Sequence, residues 1–170
     1  MNIENLHTNR LEKLFGPITL HILEQNESIR IVELKDKNKL CRTFAIVKFM
    51  NINGEILKEA HDKIVKGELL GKTLCDYNID FDREFIGSLQ VKLPDWLKFD
   101  FKTNENEGFG FVSNIWVNDD SVEPNRFVFS KIIEVIPKEL KKEFIHNIKP
   151  LQHLDLKILA MLNEAKIDMV

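Results

Sequence analysis

Between Ile18 and Pro137 the chain returns repeatedly to apolar residues at every second position, and each such run ends in a polar turn. Only a strand half-buried on a sheet needs that period, because successive side chains point to opposite faces. In PITLHILEQ, Ile18, Leu20 and Ile22 alternate with Thr19 and His21. SIRIVELKDKNKLCRTFAIVKF holds two strands about a turn at Asp36-Lys37-Asn38, which predicts a hairpin. DREFIGSLQVKL places Phe85, Gly87, Leu89, Val91 and Leu93 on one parity, and FGFVSNIWV and NRFVFSKIIEVIP form a second hairpin about NDDSVEPN. Short connections between neighbouring strands mean antiparallel pairing.

Helical spacing interrupts this pattern. Leu6, Leu11, Leu14 and Phe15 predict a short opening helix that stops at Gly16-Pro17. In INGEILKEAHDKIVKG, Ile56, Leu57, Ala60, Ile64 and Val65 make one stripe that Gly67 ends. ELLGKTLCDY follows as a second short helix, and KELKKEFIHNI and LDLKILAMLNEA close the chain on either side of Pro150. The expected fold is α+β: a six-stranded antiparallel sheet in meander order, helices after the third strand, and a helical extension over 138–170. A chain of 170 residues suits a single domain over 1–170.

A net charge of −3 argues against general nucleic-acid binding, and the helix pair offers Lys72 but no Arg, Asn or Gln where a DNA-reading helix would begin. Cys41 and Cys75 form no CxxC pair and read as core or half-buried thiols of a reducing compartment, which points to the cytoplasm. No stretch approaches the ~20 apolar residues of a membrane helix. His7, His21, His61, His146 and His153 show no paired metal spacing, with His146 on a predicted surface helix and His153 on a loop. Asp80, Asp82 and Glu84 lack the calcium-loop pattern and read as solvated charges.

Two ionisable residues stand where the alternation asks for an apolar one. Arg30 shares its parity with Val32 and Leu34, and Glu134 shares its parity with Val128, Ser130, Ile132 and Ile136. A buried charge without a partner is costly, so each needs one. Either the two form an internal Arg30–Glu134 salt bridge or one strand face is solvent, or both line a cavity in which a ligand carboxylate meets the guanidinium in a bidentate pair and Glu134 reaches the other end of the ligand.

Four stretches resemble the chorismate pyruvate-lyase family: HTNRLEKLFGPITLHIL, SIRIVEL, KGELLGKTLCDYNIDFDREFIG and the strand ending IIEVIP. The third is the most specific, with Leu69-Leu70-Gly71 where the family has Pro-Leu-Gly, then Arg83-Glu84-Phe85-Ile86 at a strand start. The resemblance runs from about His7 to Pro137. It implies six antiparallel strands with two helix-turn-helix flaps over an internal ligand cavity. It also implies conversion of chorismate to 4-hydroxybenzoate and pyruvate, without metal or organic cofactor, for quinone or other aromatic synthesis. By the same resemblance Arg30 binds the ring carboxylate, the Leu70 amide assists it, His7 lies at an N-terminal flap, and Glu134 meets the hydroxyl end of the ring. A gapped alignment would put Lys131 in the place of Glu134.

The chain departs from the family where a second arginine falls near Ile46, with Arg42 or Lys48 as substitutes, and where a basic run is replaced by Phe111-Val112-Ser113. About seventeen residues near Val91 to Glu107 are inserted relative to compact members. The same fold serves as the ligand domain of GntR-type regulators, so a non-catalytic sensor of a small carboxylate, or a lyase acting on a related carboxylated ring, is the alternative. The expected partner is a small aromatic or cyclohexadienyl carboxylate, bound by a monomer or homodimer.

Overall fold

The computed structural model describes residues 7–144 and 148–170. Leu6 and His146, both read as helical from sequence, lie outside the described residues. Helix α1 (His7–Phe15) leads into β1 (Thr19–Gln25), β2 (Ile29–Lys35) and β3 (Cys41–Phe49), followed by α2 (Glu55–Val65) and α3 (Leu70–Asp76). The second half runs β4 (Asp80–Lys92), α4 (Asp95–Phe101), β5 (Glu107–Asn118), β6 (Arg126–Pro137), a 3-10 turn (Lys138–Leu140), α5 (Lys141–Phe144), α6 (Leu156–Glu164) and β7 (Asp168–Met169).

The molecule is α+β, but its sheet has seven strands rather than six, ordered β1-β2-β3-β6-β5-β4-β7 and antiparallel throughout. Two three-stranded meanders meet at β3 and β6, because α2 and α3 carry the chain from the middle of the sheet to its far side before β4, β5 and β6 fold back. The seventh strand pairs Met169 with Val91 and Asp168 with Lys92, and two residues are too few for any period to reveal.

The turn between β2 and β3 is fixed by Asp36, whose Oδ1 accepts from the backbone N–H of Asn38 at 2.8 Å and of Leu40 at 3.1 Å. Two bulges alter the strand faces. Between Phe85 and Gly87 the β4–β5 register skips Ile86, and between Ser130 and Val128 the β5–β6 register skips Phe129. An extra residue inverts which face the following side chains take. Phe85 therefore does not share a face with Leu89, Val91 and Leu93 as its parity suggests. Nor does Val128 continue the row of Ile132: Phe127 and Phe129 join Ile132 in one core instead.

Helix α2 buries Leu57, Ala60, His61 and Ile64, while Ile56 is exposed. His61 takes the place on the stripe expected for Ile56, its ring 4.6 Å from that of Phe49 in an edge contact. Gly67, with φ +113, then turns the chain out of the helix in a conformation that side chains resist.

Helix α4 lies in the inserted segment and was not foreseen. Its Leu97 and Phe101 are four residues apart and buried on the same sheet face as Ile31, Phe44, Ile46, Val112, Ile133 and Val135. The tail adds α6 to that face through Ile158, Met161 and Leu162. Asp155 caps α6, accepting from the Ile158 N–H at 2.8 Å. Of the helix expected over 138–148, the described part is a 3-10 turn followed by α5, and residues 145–147 lie outside the described residues. Lys149–Leu151 and β7 both bond to β4, so the tail covers the outer edge of that strand along Ser88–Lys92.

Candidate functional site

The other sheet face carries two apolar clusters. Val47, Phe81, Ile115, Phe129 and Ile132 pack under α2 and α3, and Leu34, Phe109, Phe111 and Ile136 pack with Leu11 of α1 and Phe144 of α5. Between them lies a cavity of about 510 Å³. That volume falls within the ~300–1,000 Å³ typical of small-molecule sites. Its floor is Arg30, Val32 and Leu34 of β2, Ala45 and Val47 of β3, Ile132 and Glu134 of β6, and Phe81 and Arg83 of β4, which is the alternation of the sheet made visible. His7 of α1 and Leu69, Leu70, Gly71 and Cys75 at α3 close it from above.

Arg30 and Glu134 thus share one cavity, but they are not partners. Arg30 donates through Nη1 to the Glu68 carbonyl at 2.7 Å, in the link between α2 and α3. Its Nε and Nη2 are buried without a hydrogen-bond partner among the described residues. Burial brings the guanidinium down to about 10, so it remains cationic at neutral pH. Two unmet donors on a buried cation are expensive, and their parallel geometry suits one carboxylate.

Glu134 pairs instead with Arg83, which donates to it through Nη2 and to Ser113 Oγ through Nε at 3.0 Å. The Arg83 guanidinium also lies over the Phe85 ring at 4.6 Å. On the α1 side, His7 places Nδ1 3.9 Å from Glu134 and bonds Thr43 Oγ1 through Nε2 at 2.8 Å. Burial pushes the Glu134 carboxyl up, but Arg83 first, then His7 and Arg10, carry it below the ordinary carboxylate range. Burial lowers His7 to about 4, outweighing the pull of Glu134, so the imidazole is neutral at pH 7.

The structure brings the four residues expected at the site, Arg30, Glu134, Leu70 and His7, onto one cavity wall or roof. Lys131 points to the opposite face, where its Nζ lies 3.3 Å from Asp155. Neither proposed substitute for a second arginine lines the cavity. Arg42 is bound to Asp36 through Nε at 2.9 Å and Nη2 at 2.7 Å and stacks on the Phe15 ring. Lys48 sits opposite Ile29 and Lys131 in the sheet. The second guanidinium is Arg83, which shares the odd parity of Phe81, Phe85 and Leu89 and so carries the same signal as Arg30, but the apolar row was read only from Phe85 onward. The segment Phe111-Val112-Ser113 serves it, through the Ser113 hydroxyl and the Phe111 ring.

Among the other sequence candidates, Asp80, Asp82 and Glu84 bond Asn118, Arg126 and Trp116 on the surface. No group of three or more metal-ligating side chains occurs among the described residues. No helix there is long and apolar enough to cross a membrane. Cys41 is buried beside Glu33, and its thiol is pushed up first by that burial, whereas Cys75 is half-buried at the cavity.

Fold and site together define an α+β protein that encloses a mixed apolar and cationic cavity between one sheet face and its helices. No protein-family model matches the chain, and no curated protein is significantly similar to it.

Proposed function

We propose that the cavity binds a small ring carboxylate and that the protein is a chorismate pyruvate-lyase, converting chorismate to 4-hydroxybenzoate and pyruvate. The observation that carries this reading is the buried Arg30 guanidinium, whose Nε and Nη2 have no partner among the described residues, in the same cavity as the buried carboxylate of Glu134. Arg30 faces Val47 of β3, and Glu134 faces Ala45, two strands away and two residues along. Strand spacings of ~4.8 Å and rises of ~3.3 Å put their Cα atoms roughly 12 Å apart, a span suited to one six-membered ring with a polar group at each end.

In this reading the ring carboxylate lies on Arg30 and the ring hydroxyl on Glu134. The enolpyruvyl ether C–O bond breaks as the neighbouring ring carbon loses its proton, the ring becomes aromatic, and the enol leaves to become pyruvate. Aromatisation supplies much of the driving force, so the protein has mainly to hold a reactive conformer and place one carboxyl, Glu134, that gives a proton to the departing enol oxygen and takes one back from the ring carbon. No metal or organic cofactor is required. The α2–α3 pair and α1 act as flaps that exclude water, and their opening governs product release.

The Arg83–Glu134 pair favours a second reading, a non-catalytic sensor of the same ligand, because a carboxyl held below its ordinary range is ionised at neutral pH and carries no proton for a leaving group. One experiment separates the two. Purified protein is incubated with chorismate, and 4-hydroxybenzoate and pyruvate are followed together. Equal amounts of both are expected from the wild type, and none above the uncatalysed rate from Glu134→Gln. Binding of 4-hydroxybenzoate without turnover would leave the sensor; no binding of either compound would remove both readings.

A further inference from the structure

Resting on the reading of Arg30 as the ring-carboxylate site, we propose that Arg83 forms a second carboxylate subsite and that a dicarboxylate enters this cavity together with one proton, held by Glu134. The inner cavity carries two guanidiniums, Arg30 and Arg83, against one carboxylate, Glu134. A monocarboxylate on Arg30 therefore brings the buried charge to zero. A dicarboxylate brings one negative charge too many, in a region where an uncompensated charge is costly.

The geometry places that excess on Glu134. Among the described residues the charged or titratable groups directed at it are these: Arg83 from β4 bonds it, His7 from α1 lies 3.9 Å away, Arg10 from α1 contributes from farther off, and Arg30 of β2 shares the cavity. From β5 and β3 come only hydroxyls, Ser113 holding Arg83 and Thr43 holding His7. At the rim, Lys72 is paired with Asp76 and Glu12 is exposed, so water screens them. Among the described residues Arg83 is the one cation bonded to Glu134, and its bonds to Ser113 and Glu134 engage one N–H each of a fork that carries five. A second ligand carboxylate on Arg83 sets two carboxylates on one guanidinium, and two such groups sharing a site do not both stay ionised. Arg83 thereby separates a ring with an acidic ether arm from one without it.

Two stable ligands that differ only in that arm test this: 3-(carboxymethoxy)-4-hydroxybenzoate and vanillate. Calorimetry in buffers of unlike ionisation enthalpy should show about one proton taken up with the dicarboxylate and none with vanillate, and only the dicarboxylate should weaken, by about tenfold per unit above neutral pH. Glu134→Gln, which retains a hydrogen-bonding side chain, should bind the dicarboxylate about tenfold more tightly than wild type at pH 8 and with no pH dependence. Arg83→Gln, checked for folding by circular dichroism, should lose about thirtyfold or more for the dicarboxylate and change little for vanillate. Equal pH profiles for both ligands, or a dicarboxylate weakened by Glu134→Gln, overturns the inference while the Arg30 site stands. Failure of vanillate to bind in an Arg30-dependent way removes that site, and the inference with it.

Discussion

On the face under α4 and α6, Ile31, Phe44, Ile46, Val112, Ile133 and Val135 meet Leu97, Ile158 and Met161 in one continuous core, whereas on the opposite face Arg30, Arg83, Glu134 and His7 line a cavity between two apolar clusters. Each face also buries a glutamate. Glu33, on the first, takes Lys35 Nζ at 2.8 Å and His21 Nδ1 at 3.0 Å, from its own strand and the neighbouring β1, and both partners reach water. Burial raises it, and the hydrogen bonds from Lys35 and His21 carry it below the carboxylate range. Glu134 reaches the same state through Arg83 and His7, which come from β4 and α1, and all three border a cavity. Two carboxylates with similar local electrostatics thus differ in where their partners face. Low pKa and burial do not mark a site; buried donors left unmet beside an opening do.

The largest expected departure between the faces concerns Arg30. Arg30→Leu removes a buried charge with two unpartnered donors and gives up one bond to the Glu68 carbonyl, so stability should change by no more than about 1 kcal/mol either way. Affinity for 4-hydroxybenzoate should fall at least about a hundredfold, since a desolvated bidentate pair disappears. Urea denaturation and calorimetric titration of the same preparations measure both. A variant destabilised by several kcal/mol that still binds would make Arg30 part of the scaffold, and the contrast between the faces would collapse.

Next in size is a pH effect confined to the cavity face, where the two histidines buried among the described residues, His7 and His61, lie. His7 titrates near 6.5 when unfolded and at about 4 when folded. Between those values the unfolded chain takes up a proton that the folded protein refuses. Stability therefore falls as pH drops from 6.5 toward 4, by up to about 3 kcal/mol for this group. The contribution of Glu134 is lost lower, as pH falls below the ordinary carboxylate range, because its folded value is depressed. His7→Phe keeps a ring against Phe111 and Phe144 and should flatten the stability profile between pH 6.5 and 4.5 relative to wild type. Parallel profiles would mean that His7 is not held neutral by burial.

The same contrast explains what the sequence reveals. Arg30 and Glu134 were legible because β2 keeps one phase from Arg30 to Leu34, and β6 keeps one phase from Ser130 onward, so a charge among apolar neighbours stands out. Arg83 carries the same signal, a charge at the parity of Phe81, Phe85 and Leu89, and was missed because the row was read only from Phe85. What the sequence does not show is the bulge at Ile86, which turns Phe81, Arg83 and Phe85 to the face opposite Leu89 and Val91. The α+β class followed from period and turn chemistry. Helix α4 did not, since seven residues with Trp96 and Phe99 exposed give no clean stripe, and β7 is too short to carry any pattern. Those misses fall on the closed face, where tertiary packing rather than local preference decides.

The smallest effect expected tests whether the faces are independent. Gly87 begins the part of β4 that the tail covers, and a Cβ there would stand 2.9 Å from the Leu151 Cα and 3.0 Å from its nitrogen. Contact with backbone cannot be relieved by a rotamer, so Gly87→Ala must push Lys149–Leu151 away from the strand. The bonds at risk are Ser88 N–H to the Lys149 carbonyl and Leu151 N–H to the Ser88 carbonyl, both 2.9 Å. A cost of about 1–3 kcal/mol is expected, of the size seen when a well-packed contact is overfilled. Hydrogen exchange should quicken at the Ser88 and Leu151 amides. Ligand affinity should stay within about twofold, because the bulge at Ile86 separates this stretch from the Arg83 side of the strand. If affinity falls along with tail protection, strain crosses the sheet, and the tail belongs to the cavity as much as to the core it covers.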